Sequence, residues 1–451
     1  MPPLAALPLS LQLSAVLILG LMLGSSVNWA IYRLAWHRRD ISPWGPLPTG
    51  AAPRTLLDRV PLLGWLLLRR EHSLHGRGFW IRPLGIELLL GLGLAALYWW
   101  EVDQQGLVRA QIEDWLHLLV GAPLAVQGKV GLASSAQVMF LSHVILIGLM
   151  AAASFIDIDE KIIPDAITVP GTLLGLLLAA MLPMALLPHV ATSVAPDQLR
   201  VPIELPAAVA QAAPGAAFQL EPVTLAAPNP WPEILSGAPS WQGLLLGLGC
   251  WWLWCFALTP RIWRGRHGPG RALRLIARRV LSEWSRPPLG LMALVGSLAI
   301  VGAWWFGGQG WTGLLSALVG MAGSGSMIWI VRLVGTAALQ REAMGFGDVT
   351  LMMMVGAYLG WQAGVIIFFV APFAGLIVGI MQLVLHRDDE IPYGPFLCLG
   401  SLVVMVCWAD VWIRMQGVFQ VTGLVPAVLV VCFVLLGLML VVWRQIKRLF
   451  A

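Results

Sequence analysis

Residues 137–156 read QVMFLSHVILIGLMAAASFI, an uncharged run that ends abruptly on Asp157-Ile158-Asp159-Glu160-Lys161. About 20 apolar residues suffice to carry a helix across the hydrocarbon core of a bilayer. Runs of the same kind recur at Leu11–Ile31, Ala166–Leu187, Leu289–Phe306, Val365–Leu385 and Leu424–Trp443. Of the 451 residues, 58% are hydrophobic and 11% charged, whereas a soluble domain carries about 25% charged residues. The sequence therefore predicts an all-α polytopic transmembrane helical bundle with about ten or eleven membrane segments. No Lys or Arg precedes the first run, so the basic n-region of a cleaved signal peptide is missing. Met1–Gly20 is expected to lead into a retained first span.

The net charge of +5 is not spread as a nucleic-acid surface would need, and no nucleic-acid partner is expected. Basic residues cluster in two loops, Arg33–Arg82 and Arg261–Arg286. Positive loops mark the cytoplasmic side of a membrane. That rule puts the N-terminus outside and both loops inside, and it predicts a multi-pass protein of the bacterial inner membrane. Arg271, Arg274 and Arg278 recur at helical spacing beside Leu273, Leu275 and Ile276. They predict an amphipathic helix drawn to anionic lipid headgroups. The organisation expected is a unit at 1–100 with two spans and a loop, an external loop at 101–135, and spans at 136–188. An external Pro/Ala-rich insert at 189–240 with little packed core comes next. Spans at 241–334 enclose a basic loop at 260–288, and a last unit covers 335–451. Cys250, Cys255, Cys398, Cys407 and Cys432 lie in or beside apolar runs and read as small hydrophobes.

Two polar stretches interrupt this background. One is Asp157-Ile158-Asp159-Glu160-Lys161-Ile162-Ile163-Pro164-Asp165; the other is Gly345-Phe346-Gly347-Asp348-Val349-Thr350. Carboxylates at membrane depth are costly and mark function or nearby water. Two of them brought together can hydrolyse a peptide bond. One, ionised, takes a proton from the attacking water, and the other, protonated, donates to the carbonyl oxygen. Asp157, Asp159 and Asp165 each qualify by spacing as the partner of Asp348, and each also reads as an ordinary helix-end acid. Membrane-edge acids also suit a second class, a multispan transporter or proton-coupled carrier. Internal symmetry would favour that class, and none is visible.

Asp157 to Pro170, with Ile163-Pro164-Asp165, resembles the first aspartate motif of the type IV prepilin peptidases. Gly345-Phe346-Gly347-Asp348 and the following Gly356-Ala357-Tyr358-Leu359-Gly360-Trp361 resemble their GxGD motif. Ile391-Pro392-Tyr393-Gly394-Pro395-Phe396 resembles a signature nearer the C-terminus. Gly24-Ser25, Asn28 and Ile31-Tyr32-Arg33-Leu34 resemble the end of their first span. Asp58-Arg59-Val60-Pro61 with Gly64-Trp65-Leu66-Leu67-Leu68-Arg69 resembles their cytoplasmic loop, and Arg82-Pro83 with Glu87 the start of their second span.

The resemblance implies an aspartic endopeptidase of the cytoplasmic membrane face. It implies prepilin-like or pseudopilin precursors as substrates, cut between a basic leader and an apolar stem. Asp157 and Asp348 become the catalytic pair, supported by Gly345, Gly347, Asp159, Pro164, Asp165, Pro392, Gly394 and Pro395. Proteolysis of this kind takes no cofactor. S-adenosylmethionine serves members that go on to methylate the new N-terminus, and no residues here are assigned to bind it.

Three features differ from the family pattern. The first loop lacks the two Cys-x-x-Cys pairs of a zinc site, and only His72 and His75 fall near one of them. Zinc wants four ligands, so no metal is expected. The stretch between the aspartate motifs is longer, and Thr350 stands where a Lys commonly follows the GxGD aspartate. The missing cysteines bear on methylation more than on proteolysis, because both aspartates are present. Without zinc, the loop is expected to be ordered by lipid and by packing near the dyad, its prolines lowering the entropy of the free chain. Val60–Leu68 would lie on the membrane surface, while Arg69, Arg70, Arg77 and Arg82 reach headgroups.

Overall fold

The computed structural model describes residues 7–449 apart from 40, 45–52, 122–124, 127, 133, 193–200, 213–216, 229–234, 236–238, 260–273, 275–277, 281, 285–286 and 385–391. In lipid a backbone must satisfy its own polar groups, and a helix does this within one segment. The apolar runs accordingly become α1 (Leu9–Leu34), α2 (Ile81–Tyr98), α4 (Ser135–Glu160), α5 (Asp165–Met181), α6 (Trp241–Ala257), α7 (Leu289–Phe306), α8 (Gly308–Leu339), α9 (Gly347–Val384), α10 (Gly394–Val406) and α12 (Leu424–Leu449). Between them lie α3 (Gly106–Val120) and α11 (Trp408–Gln420). Among the described residues, seven helices are long and apolar enough to cross a membrane, or up to eight if the bent pair α10–α11 is one span. The protein is thus a multi-pass membrane protein. At 17 residues each, α5 and α6 fall just short of that length. The larger number of segments expected from sequence is approached when these, and the two arms of α9, are counted as well.

Those two arms follow from one residue. Gly360 takes φ +83° and ψ 174°, a conformation open to glycine and rarely to others. Ser324 of α8 lies beside both flanks of the break: a Cβ on Gly356 or on Gly364 would meet its Oγ. Eight residues of continuous helix would separate those glycines by about 12 Å. The chain therefore turns back at Gly360, and α9 is two antiparallel arms that both lie against α8.

The bundle has two distinct ends. One carries the end of α4, the end of α8 and the start of α9, hence both polar motifs. At the other end the Pro/Ala-rich stretch is folded, not the loop with little core that its composition predicts. Pro188–Thr192 (β1), Val201–Ile203 (β2) and Phe218–Pro222 (β3) form an antiparallel sheet in the order β1-β3-β2. Phe218-Gln219-Leu220-Glu221-Pro222 alternates buried and half-buried positions, as a strand with one covered face does. Leu220 pairs with both Val190 and Val201, and Leu220 and Val190 are wholly buried. The covering comes from α3, in the segment expected to be a loop, and from α11. Trp115 Nε1–H donates to the Val190 carbonyl (2.9 Å) and Trp408 Nε1–H to the Pro188 carbonyl (2.8 Å). Trp361 and Gln362, just past the turn of α9, donate to the carbonyls of Leu225 and Thr224. The small sheet is an addition to an otherwise helical fold. The amphipathic helix expected at Arg271, Arg274 and Arg278 falls largely outside the described residues.

Candidate active site

Asp157 sits in the last turn of α4. The helix stops at Lys161, which takes a left-handed conformation and donates its N–H to the Asp157 carbonyl (2.7 Å). Asp348 follows Gly347 in the first turn of α9, where Val349 and Thr350 bond back to the Phe346 carbonyl. The two carboxylates come from motifs far apart in sequence, yet both line a single cavity of about 1060 Å³. Both are buried, at 4% and 7% exposure. The Gly394 backbone N–H donates to the Asp157 carboxylate. The other oxygen, Oδ2, has no hydrogen-bond partner among the described residues and is left for a ligand or water. Gly394 is required sterically, since a Cβ there would stand 2.5 Å from that oxygen. A Cβ on Gly347 would stand 2.9 Å from Ile163, so the two motifs meet closely there.

Two arginines from neighbouring helices hold these turns. Arg332, an almost buried charge on α8, donates through Nε to the Met344 carbonyl (2.9 Å) and through Nη2 to Glu342 (3.1 Å). Its guanidinium also lies 5.7 Å from the centre of the Phe346 ring. It thus fixes the loop that delivers Asp348. Arg82 of α2 forks to both oxygens of Asp159 (2.8 and 2.9 Å) and reaches the Phe155 carbonyl (3.1 Å). Beside them, Glu160 accepts the backbone N–H groups of Trp36 (2.6 Å) and His37 (2.8 Å). The last turn of α4 is therefore clamped on both sides of Asp157. The sequence reading missed Arg332, although a lone charge inside a long apolar run was the signal.

The remaining candidates separate cleanly. Asp159 is engaged by Arg82, and Asp165 is exposed at the start of α5; neither lines the cavity. Gly345, Gly347 and Pro392 do line it, with Tyr393 and Lys161. Pro164 precedes α5 with extended backbone, and Pro395 occupies its first turn position in α10.

The loop after α1 is ordered by the protein's own charges. Arg54, buried, donates to both oxygens of Glu71 (3.1 and 2.9 Å) and to the Ser42 carbonyl (2.6 Å). Asp58 accepts from Arg70 (2.7 Å) and from the backbone N–H and hydroxyl of Thr55. Burial alone would raise the Asp58 carboxyl, but these hydrogen bonds outweigh it and hold it below its ordinary value. Glu87 of α2 gathers Ser25, Asn28, the Trp65 indole and the N–H of Leu62. Leu62 has φ +63°, a strained backbone that the Glu87 bond secures.

Three of the four arginines expected at headgroups have partners within the protein. Arg70 and Arg82 are spent on Asp58 and Asp159, and Arg69 lies over the Trp80 ring. Trp65 and Leu68 are buried against the protein, though Leu63, Leu66 and Leu67 on the opposite face remain exposed. Among the described residues the loop offers no ligand set that fits zinc. Glu71 is the carboxylate nearest His75 (3.4 Å), but both its oxygens already bind Arg54, a cation. His72 is exposed.

Residues 284–380, which include Asp348, match the type IV leader peptidase family. A prepilin leader peptidase/N-methyltransferase of Legionella pneumophila is 34% identical over 97 residues, 21% of this chain and 33% of that protein. Proteins of the same name from Aeromonas salmonicida and Pseudomonas aeruginosa are each 31% identical, over 104 and 100 residues. These cover 22% of this chain in both cases and 35% and 33% of the relatives, so the match spans about a third of each curated relative's length. No solved structure matches the chain significantly. The segment around Asp348 is thus similar to the type IV leader peptidase family and to the relatives that share it.

Proposed function

We propose that the protein is a membrane aspartic endopeptidase that removes the basic leader of prepilin-like or pseudopilin precursors. The observation that carries this reading is the meeting of Asp157 and Asp348 in one cavity, each at a helix end and each braced by a neighbouring arginine. One carboxylate, ionised, takes a proton from water as the oxygen attacks the peptide carbonyl. The other, protonated, donates to the carbonyl oxygen and then assists the departing amine. Close carboxylates cannot both ionise, so one shared site supplies both protonation states. The transporter alternative would place acids along a path through the bundle; here the two lie together at one end.

The aspartate end also carries described residues of the basic loop Arg33–Arg82, whose Arg82 pairs with Asp159, and the closing Arg444 and Lys447 of α12. By the positive-inside rule this end faces the cytoplasm of an inner membrane. The relatives' printed name includes N-methyltransferase. Methylation of the new N-terminus with S-adenosylmethionine is a second, separable activity for this chain. The test is direct. Purified protein in liposomes is incubated with a precursor, and the product is read by gel and by N-terminal mass spectrometry. A product starting at the first stem residue is the expected result, and an added methyl mass would report the second activity. An uncut precursor would overturn the peptidase reading.

A further inference from the structure

We infer that the groove between α8, the returning arm of α9 and α12 is the seat of the precursor's apolar stem, with α12 as its outer wall. This rests on the peptidase reading and adds the binding site to it. The cavity that holds Asp157 and Asp348 does not end at the carboxylates. It continues along α8 from Leu339 to Ile328, eleven residues or about 17 Å of helix. Facing α8 are Phe369 and Phe373 of α9 and Phe433 and Leu436 of α12. Beyond Asp157, Lys161, Asp348 and Tyr393 at the motif end, the lining is apolar. At its deeper end Phe368 and Phe433 meet edge to face, with centroids 5.8 Å apart.

The occupant follows from continuity and chemistry. A peptide cut at the two carboxylates must leave the site in two directions, one toward water and one into the bilayer. The groove is the route into the bilayer, and it begins at the reacting atoms. A basic leader is excluded from it, because a charge moved among phenylalanines at membrane depth goes unpaired. An apolar helix is not excluded, and about 11 residues of one would match the groove's length. The wall is also incomplete. Phe373 is 67% exposed, so the groove reaches the lipid-facing surface, and α12 turns one stripe toward the bundle, from Val425 through Leu429, Phe433 and Leu436 to Leu440. Its cytoplasm-proximal end is tied by Arg444 to the Ala338 carbonyl (3.2 Å). A stem already in the membrane can therefore enter sideways, without leaving lipid.

The experiment uses a photo-crosslinking benzoyl-phenylalanine at Leu436 or at Phe373 in the Asp348→Asn protein, with purified precursor in phosphatidylethanolamine–phosphatidylglycerol vesicles. Leu435, on the outward face of α12, serves as the control position. Crosslinks from 436 and 373 into the precursor's apolar segment, and none from 435, are expected. In the active protein Leu436→Trp should lower kcat/KM at least about tenfold, mainly through KM, while Leu435→Trp should not. Cys432 gives a check without any change in the groove. In a Cys407→Ser background, precursor should slow its alkylation by N-ethylmaleimide severalfold. Crosslinks to lipid alone, or alkylation indifferent to precursor, would overturn the groove. Because the crosslinks are read in a cleavage-dead protein, they succeed or fail independently of whether the chain is a peptidase.

Discussion

At the residue scale, the site depends on how firmly its turns are held. Arg332 makes two hydrogen bonds and a ring contact to the loop that precedes Asp348, so its loss should displace that carboxylate. A displacement near 1 Å can cost about 100-fold in rate, so Arg332→Ala should lower kcat by about 10- to 100-fold with a smaller change in KM. Arg332→Lys should recover part of it by keeping the charge. Steady-state kinetics on a precursor checks this, and equal loss in both variants would assign Arg332 to folding instead. Asp159 is different. Its pair with Arg82 is partly exposed, and such pairs contribute about 1 kcal/mol or less. Asp159→Asn should keep substantial activity, because Arg82 still bonds to the Phe155 carbonyl; a loss as deep as that of a catalytic carboxylate would contradict the choice of Asp157. Spacing could not make that choice, because all three acids of the first motif were equivalent in sequence. The structure separates them by which one faces the cavity.

At the element scale, the loop before α2 is braced by a buried ion pair where the resemblance would put a metal. Removing one partner of such a pair strands the other, at a cost of about 3–5 kcal/mol. Arg54→Ala should therefore make residues 53–80 sensitive to protease in detergent, whereas Arg69→Glu should not. Anionic lipid should change neither result. The loop also has a pH signature. Asp58 is held below its ordinary value of 3.8, so its contribution is fully present above that pH. It is lost as the pH falls through the lowered folded value. Protection of the loop should then persist at pH 5 and decline only below about 4; loss already at pH 5 would take the brace away from Asp58. The loop's apolar run was visible in sequence, but its partners were not, because Glu87 and Trp65 belong to different elements. The sheet at the far end was hidden for another reason. Ala and Pro dominate its composition, and only the five-residue alternation at Phe218–Pro222 betrays a strand. The break at Gly360, by contrast, could be placed from the pattern of two apolar stretches around Gly360-Trp361.

At the scale of the whole molecule, the helical bundle could be read from hydropathy alone, since lipid leaves the chain few other options. What hydropathy could not show is that distant motifs converge at one end. Sidedness is the prediction at this scale. In a Cys407→Ser background, Ile162→Cys at the aspartate end should react with an impermeant maleimide only after the cells are opened. Leu118→Cys on α3 should react in cells whose inner membrane is intact. The opposite pattern would invert the topology and remove the cytoplasmic site. The central claim is that Asp157 and Asp348 together perform the cleavage. It is tested most directly by mass spectrometry of a precursor incubated in liposomes with the unmodified protein, Asp157→Asn or Asp348→Asn, each shown to be inserted in equal amount. The account predicts a new N-terminus with the unmodified protein and intact precursor with both variants. A new N-terminus at comparable yield from either variant would contradict it.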